Sequence, residues 1–198
     1  MAAPTYSAGT LGNVINAISV ASLKNSAALV DVSTKFGSAL LCKILTGTNA
    51  ITNPVTFSMY RITGATASGS ASVASNANSG NTSLVVNSAT GIGKNTVIGV
   101  VANSNSVGEL VTVSNTNGTT LTVSALINAY STNDLVFLIE QTPSGGVVSP
   151  GASWAANTEY STTIYPPPAF LWIVGAKNTD AAQAATVTVT MDTNPAFT

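Results

Sequence analysis

Side chains that could handle protons or hold metals are few and scattered in this sequence. Among its 198 residues there is no histidine, one cysteine, seven acidic residues and six basic residues. General acid–base catalysis, activated nucleophiles and transition-metal sites draw mainly on His, Cys, Asp, Glu and Lys. The composition therefore predicts a protein that is not an enzyme, that uses no cofactor and that acts through surface contacts.

The carboxylates that could serve glycosidase chemistry are Asp31, Asp134, Glu140 and Glu159. That chemistry needs two acids roughly 5–10 Å apart, and nothing in the spacing of these four residues pairs them. We therefore predict that they lie on solvated faces or cap turns.

Two short motifs resemble ion sites. Asp180 and Asp192 lie close to Asn178 and Asn194, and all four offer oxygen atoms, but the D-x-D-x-D spacing of a calcium loop is missing. The stretch 91–94, Gly-Ile-Gly-Lys, lacks the spacing of a phosphate-binding loop and is followed by no helical pattern. We predict turns at these places and neither a metal site nor a phosphate site.

Charge and hydropathy limit the partners further. The six basic residues are spread from Lys24 to Lys177 without a cluster, which predicts no binding to nucleic acid. No apolar run approaches the roughly 20 residues of a membrane-spanning helix. The first charge is Lys24, so no signal peptide is expected and synthesis in a cytoplasm is predicted. Cys42, in an apolar run, is predicted to be a buried thiol.

The elements that would position these residues are strands. No stretch keeps a helical period over more than about ten residues. Residues 56–62 place Phe57, Met59 and Arg61 on one face of a strand, and residues 186–191 alternate strictly between Thr and apolar residues. Such alternation is typical of half-buried antiparallel strands. The predicted fold class is all-β.

Two stretches rich in Gly, Ser, Asn and Pro divide the chain. We predict an antiparallel, jelly-roll-like β-sandwich formed by both chain ends, with a small five-stranded β-barrel inserted into it. The predicted segments are the first half of the sandwich with an N-terminal arm (1–64), a flexible linker (65–82), the inserted domain (83–140), a second linker (141–153) and the second half of the sandwich (154–198).

An aromatic and proline-rich cluster is the best candidate for a protein interface. Proline cannot donate to a sheet ladder, and aromatic side chains often anchor interfaces. Phe170 and Trp172 are assigned to the sandwich core, whereas core and interface roles both stay open for Trp154 and Tyr165. Tyr6 belongs to an arm that either orders against a neighbour or is a plain tail. The candidate interface residues are Tyr6, Trp154, Tyr160, Tyr165, Pro166 and Pro167.

Three stretches together resemble virion proteins of tailed bacteriophages. The first is 27–40, a strand that ends in a D-x-S-T-x-x-G turn. The second is the inserted domain, with 82–99, 109–113 and 119–123, where Lys94-Asn95 stands at a turn that is commonly Gly-Asp. The third is the return strand 170–180. The resemblance covers most of the chain.

The resemblance implies a structural virion protein of the capsid decoration, or cement, type. It implies the major capsid protein as a partner, a homotrimer as the oligomer, and a position on the outer surface of the virion. An alternative is a tail-fibre, head-fibre or adaptor protein that binds a glycan on the host surface. Proteins that bind sugars usually expose aromatic side chains as platforms. Because this chain has only two Trp and five Tyr, the glycan-binding alternative ranks second.

Overall fold

The structure is a computed structural model that describes residues 12–33, 35–63, 70–103, 108–151, 154–167 and 170–195. Within these residues every regular element is a β-strand, which confirms the predicted all-β class. The strands are β1 (Gly12–Val20), β2 (Asn25–Asp31), β3 (Lys35–Thr46), β4 (Val55–Arg61), β5 (Ala71–Ser72), β6 (Ser83–Val85), β7 (Val97–Val101), β8 (Gly108–Asn117), β9 (Thr120–Val123), β10 (Leu135–Leu138), β11 (Val147–Val148), β12 (Glu159–Ile164), β13 (Leu171–Asn178) and β14 (Ala185–Pro195).

Eight of these strands form a sandwich of two antiparallel sheets. Sheet A has the order β1-β14-β3-β12, and sheet B has the order β11-β4-β13-β2. Both chain ends contribute to both sheets, and the strands follow the order of a jelly roll. The fourth and fifth strands of the sandwich, β4 and β11, are neighbours in sheet B. Between them in sequence lie the six strands β5 to β10, which do not belong to the sandwich.

Alternating side chains build the sandwich core. Phe57 and Met59 of β4 and Val187 and Val189 of β14 point inward and are buried. The threonines between the two valines and around them face outward on β14. The alternation of the sequence therefore sets which face of each strand packs, because successive residues of a strand point to opposite sides of the sheet.

The inserted unit is a small barrel of six strands, here called the barrel (residues 70–138). Its sheet has the order β5-β10-β7-β8-β9-β6, and a bridge between Val73 and Val86 joins the two outermost strands. Five strands were predicted. The sixth strand, Ala71–Ser72, was not predicted because its small residues show no hydrophobic alternation. It pairs with β10.

The two predicted linkers need correction. Residues 65–69 lie outside the described residues, but residues 70–82 belong to the barrel, where Val73 and Ala77 are buried in its core. In the second predicted linker, Val147–Val148 pairs with Phe57 and Ser58 and forms the edge of sheet B. The turn-forming composition of both segments predicted linkers. They are ordered because they pair with strands that are distant in sequence.

The barrel packs on the outer face of sheet B. Ile173, Ala27 and Ile62 of the sandwich side pack in one buried cluster with Phe137 and Val101 of the barrel. Around Ile173, sheet B is consequently buried on both faces, with the sandwich core on one side and the barrel on the other. This double cover explains why the return strand β13 is apolar from Leu171 to Ala176.

The chain enters and leaves the barrel side by side. Ile62 and Ile139 form an antiparallel bridge. The backbone N–H of Thr63 donates to the carbonyl of Leu138 at 2.9 Å, and the N–H of Glu140 donates to the carbonyl of Arg61 at 2.9 Å. The junction is therefore a short two-stranded ladder.

Glycines allow the barrel and sheet B to approach closely. A Cβ added at Gly108 of β8 would lie 2.6 Å from the backbone oxygen of Ala27, and one at Gly175 of β13 would lie 2.7 Å from Cδ1 of Leu110. A Cβ at Gly99 of β7 would lie 2.2 Å from Cδ1 of Ile173. The contact at Gly108 is the most demanding, because backbone cannot move aside as a flexible side chain can.

Replacing Gly108 with alanine is expected to lower the free energy of unfolding by about 1–3 kcal/mol, as overpacking of a close contact does. Gly93 of the same barrel is the matched control, because a Cβ there meets nothing within 4 Å. Gly93→Ala should change the unfolding free energy by less than about 1 kcal/mol. Urea unfolding of both variants measures the difference. Equal stabilities would show that the close approach of Gly108 to Ala27 does not limit how the barrel packs on sheet B.

Candidate contact surface

Two of the carboxylates considered for catalysis form ion pairs. Oε1 of Glu159 lies 3.0 Å from Nζ of Lys43 on the outer face of sheet A, and Glu140 pairs with Arg61 at the junction with the barrel. Both pairs are partly exposed, so each contributes at most about 1 kcal/mol. Neither acid faces a second acid in these pairs, and both lie where the prediction of solvated faces put them.

The other two carboxylates cap turns, which confirms their predicted role. Oδ1 of Asp31 accepts a hydrogen bond from the backbone N–H of Ser33 at 2.9 Å. Asp134 accepts from the N–H of Ser131 at 2.7 Å and from the N–H of Asn103 at 2.9 Å. Oxygen atoms occupied by backbone donors in this way hold loops and are poorly placed to accept a substrate proton.

Glu109 is a buried carboxylate that the sequence did not single out. It accepts hydrogen bonds from the backbone N–H groups of Ile127 and Asn128 at 2.9–3.0 Å. Burial raises the pKa of nearby Tyr130 well above its ordinary value, and the charge of Glu109 adds to this effect. The hydrogen bonds of Glu109, and the one from the hydroxyl of Tyr130 to the carbonyl of Val100, hold the barrel loop 125–130 in place. No sequence signal distinguished Glu109 from an acid on a solvated strand face.

Asp180 ties two loops of the sandwich together. Its Oδ1 accepts from the backbone N–H groups of Ala182 and Gln183, both at 2.8 Å, and its Oδ2 accepts from those of Thr52 and Asn53 at 2.8 and 3.1 Å. The bonds from Ala182, Gln183 and Asn53 hold the pKa of Asp180 well below its ordinary value. This network confirms the predicted turn chemistry at Asp180. The turn predicted at Asp192 and Asn194 is wrong, because both residues lie within strand β14.

In the part of the chain that the structure describes, no group of three or more His, Cys, Asp or Glu side chains is arranged to hold a metal ion. Gly91 and Asn95 have positive φ values of 78° and 68°, as tight turns require, and no helix follows them. Cys42 is buried as predicted, and burial raises the pKa of its thiol to about 12, which suppresses the reactive thiolate.

The predicted interface cluster separates into buried and exposed members. Trp154 is only 2% exposed and stacks on half-buried Tyr160, with ring centroids 5.3 Å apart. Pro166 is also buried. An interface role for Trp154 and Pro166 is therefore wrong for this chain, since Trp154 packs in the sandwich core and Pro166 is buried as well. Tyr6 lies outside the described residues.

Tyr165 and Pro167 remain at the surface. Tyr165 is 72% exposed, the most exposed of the large hydrophobic side chains among the described residues. Pro167 is exposed too, and its carbonyl accepts a hydrogen bond from Nε1 of Trp172 at 3.1 Å. These two residues keep the candidate interface role.

The core assignment of Phe170 and Trp172 is half right. Trp172 is buried, but Phe170 is 42% exposed. Phe170 lies edge-on to Trp172, and the guanidinium of Arg61 stands 5.3 Å from the centre of its ring. Its place just before β13 puts it at the end of the sheet, where the core no longer covers it.

Tyr165 follows directly after β12, the edge strand of sheet A. On the neighbouring strand β3, Leu41 and Leu45 face outward on either side of Lys43 and are 38% and 47% exposed. Thr163 lies opposite Leu41 in the register. We name this region the β12 surface and define it as Leu41, Leu45, Thr163, Tyr165 and Pro167. Within the described residues no strand pairs with the free edge of β12.

A depression of about 290 Å³ opens beside Tyr165, between β12 and the turn that precedes β11. Its lining is mainly apolar or free of side chains, and includes Met59, Gly145, Gly146, Val148 and Ile164. A depression of this kind next to an exposed aromatic suits the side chain of a partner protein. The structure thus gathers an exposed anchor, a recess and an open strand edge in one place.

The outward leucines of the β12 surface were missed from the sequence, although a signal was present. Residues 39–45 are apolar at both parities, apart from Lys43. Leu40, Cys42 and Ile44 fill the core, which leaves Leu41 and Leu45 on the outer face. Apolar residues at the outward parity of a half-buried strand mark a face that another surface covers.

Comparison with protein families, with curated proteins and with solved structures finds no match to this chain. In the described residues there is no helix of the length and apolar character that crossing a membrane would require.

Proposed function

We propose that this chain is a structural virion protein that decorates a bacteriophage capsid and stabilises it by bridging capsid subunits. The observation that carries the proposal is the β12 surface, where an exposed tyrosine and a recess lie at an open strand edge and two exposed leucines lie on the neighbouring strand. The resemblance of the stretches 27–40, 82–99, 109–113, 119–123 and 170–180 to phage virion proteins supports the same conclusion.

The chemistry of the chain agrees with a role in assembly. Its buried acids serve backbone donors, and Glu159 on sheet A and Glu140 at the barrel junction are paired with cations. With only 7% charged residues, the surface is wet mainly through hydroxyls and amides. Such groups lose less hydration energy on contact than charges do, so large contacts form at modest desolvation cost.

Bridging requires that each decorating particle has more than one contact surface. The proposed homotrimer supplies this, because three copies present the β12 surface three times around one symmetry axis. The partner that we propose for this surface is the major capsid protein. An aromatic side chain that becomes buried typically removes about 150–250 Å² from water, enough for an exposed tyrosine to act as a dominant anchor at such a contact.

The test is co-sedimentation of the purified protein with undecorated heads of the phage that encodes it. The wild-type chain should bind saturably, and Tyr165→Ser should bind at least about ten-fold more weakly, since an interface anchor is typically worth 2 kcal/mol or more. Leu23→Ser is the matched control: Leu23 is also exposed, but it lies in the β1–β2 turn, at the opposite edge of sheet A.

Two results would contradict the proposal. Absence of saturable binding to heads would remove the decoration role, and adsorption to host cells in its place would favour the fibre or adaptor alternative. Equal loss of binding in Tyr165→Ser and Leu23→Ser would show that the β12 surface is not the contact. Sedimentation velocity of the free protein tests the trimer separately.

A further inference from the structure

A second concave site lies between the two units of the molecule, on the outer face of sheet B. It is a cleft of about 300 Å³. Its floor consists of Thr56, Ser58 and Tyr60 from β4 together with Gly175 and Lys177 from β13. These residues share one face of the sheet, because alternate residues of a strand point the same way and the register places Lys177 beside Thr56 and Gly175 beside Ser58.

The cleft exists because the outer face of sheet B has two chemically different halves. Ile62, Leu171 and Ile173 form an apolar half, and the barrel covers them. The other half carries hydroxyls and Lys177 and stays uncovered. The wall of the cleft comes from the barrel, where Val97, Leu110 and Thr112 line it, and from Val147 on the edge strand β11.

A side-chain brace fixes the wall against the floor. Nδ2 of Asn25 donates to the carbonyl of Leu110 at 3.2 Å, and the backbone N–H of Leu110 donates to Oδ1 of Asn25 at 2.9 Å. The side chain of Leu110 occupies the space left by the absent Cβ of Gly175. The cleft is therefore built in advance of any ligand, which reduces the ordering cost of binding.

Four polar groups in the cleft have no partner among the described residues. The hydroxyls of Ser58, Tyr60 and Thr112 and the ammonium of Lys177 make no hydrogen bond or ion pair with another described residue. No acidic side chain lines the cleft. The site therefore offers three groups that both donate and accept hydrogen bonds, and one uncompensated positive charge.

The backbone around the cleft is not free to bind an added strand. In sheet B, β4 lies between β11 and β13, and β13 lies between β4 and β2. In the barrel, β7 and β8 are likewise flanked by strands on both sides. A peptide cannot pair with these four strands, so a ligand that lies on the floor of the cleft must be recognised there by side chains.

We propose that this cleft binds an acidic saccharide. The carboxylate of a uronic acid residue pairs with Nζ of Lys177, and sugar hydroxyls exchange hydrogen bonds with Ser58, Tyr60 and Thr112. One ammonium matches one carboxylate in charge. A phosphate dianion is usually bound by two cations or by free backbone N–H groups. The lining of the cleft contains one cation, Lys177, and its strands use their backbone N–H groups in sheet pairing. This site is separate from the β12 surface and does not depend on the contact proposed there.

The probe is a tetrasaccharide of alternating glucuronate and N-acetylglucosamine, titrated into the full-length ¹⁵N-labelled protein. A neutral tetrasaccharide of N-acetylglucosamine and inorganic phosphate are the comparison ligands. We expect saturable amide shifts at Ser58, Gly175 and Lys177 with the acidic probe, with a Kd on the order of 1 mM or tighter. The neutral sugar should bind at least about ten-fold more weakly, because a charge-assisted bond is lost.

Two variants localise the site. Lys177→Gln should weaken binding of the acidic probe about ten-fold, and Ser58→Val, which removes a hydroxyl from the floor, should weaken both sugars. Lys43→Gln is the matched control, since it removes the same charge from the outer face of sheet A. The dispersion of the amide spectrum verifies that each variant is folded.

The proposal is overturned if no saturable shifts occur up to about 10 mM probe, or if they occur away from the cleft. It is also overturned if Lys177→Gln and Lys43→Gln bind the acidic probe equally. Tighter binding of inorganic phosphate than of the acidic tetrasaccharide at these residues would identify an anion site and reject the saccharide.

Discussion

Replacing Asp180 with alanine is expected to lower the free energy of unfolding by about 3–4 kcal/mol. The carboxylate accepts four backbone hydrogen bonds, which link the loop at Thr52 and Asn53 to the turn at Ala182 and Gln183. Removing it leaves these donors without an acceptor, and each unsatisfied buried donor costs about 1–3 kcal/mol, less where water enters. Chemical denaturation followed by tryptophan fluorescence measures the loss.

The same carboxylate gives a defined dependence of stability on pH. The pKa of Asp180 is lower in the folded protein than its ordinary value near 4, which applies to the unfolded chain. Its contribution to stability is therefore fully present above about pH 4 and is lost as the pH falls from there towards the folded-state pKa. The difference in Tm between wild type and Asp180→Asn should shrink as the pH falls below about 4.

Asp192 provides the control for both measurements. It is exposed and makes no hydrogen bond or ion pair with another described residue. Asp192→Ala should change the unfolding free energy by less than about 0.5 kcal/mol. If Asp180→Ala were no more destabilising than Asp192→Ala, the loop network would not contribute to stability.

The second large effect is expected at Phe137, where alanine should cost about 3–5 kcal/mol. Phe137 lies on β10 and is fully buried between the barrel and sheet B, where it packs in the cluster that contains Ile173. Its neighbour Val136 faces the interior of the barrel. Because β10 serves both units at once, Phe137→Ala should lower the stability of the sandwich as well as that of the barrel.

Calorimetry distinguishes shared from separate unfolding. A single transition that moves as a whole in Phe137→Ala indicates one cooperative unit. Phe137→Leu keeps most of the apolar volume and should lose only a fraction of the stability lost in the alanine variant. Two resolved transitions, with only one of them shifted, would show that the barrel unfolds independently of the sandwich.

The sequence allowed prediction of those elements whose own residues carry a hydrophobic pattern. β4 and β14 were located by their period of two, and five barrel strands were located by short apolar runs between turns. β5 and β11 were not, because two-residue strands of small or turn-flanked residues take their order from partners elsewhere in the chain. Local pattern carries little information where pairing is supplied by distant residues.

The sites were predictable only in part, for the same reason. Exposed Tyr165 and Pro167 lie in the segment that the sequence indicated, whereas Trp154 is buried because the bridge between Trp154 and Ile51 draws it into the core. The cleft depends on which half of sheet B the barrel covers, and that follows from glycines at 99, 108 and 175. No local sequence pattern distinguishes a glycine that allows such a close approach from a glycine in a turn.

The ladder at residues 61–63 and 138–140 means that, seen from the sandwich, the barrel replaces the tip of one hairpin between β4 and β11. A jelly roll that closed this hairpin with a short turn would keep its strand order unchanged. The position can therefore accept exchange of one module for another in evolution or in engineering. Any replacement must still present a surface that fits the outer face of sheet B around Ile173 and Gly175, so the fit to these two residues is the condition for a successful graft.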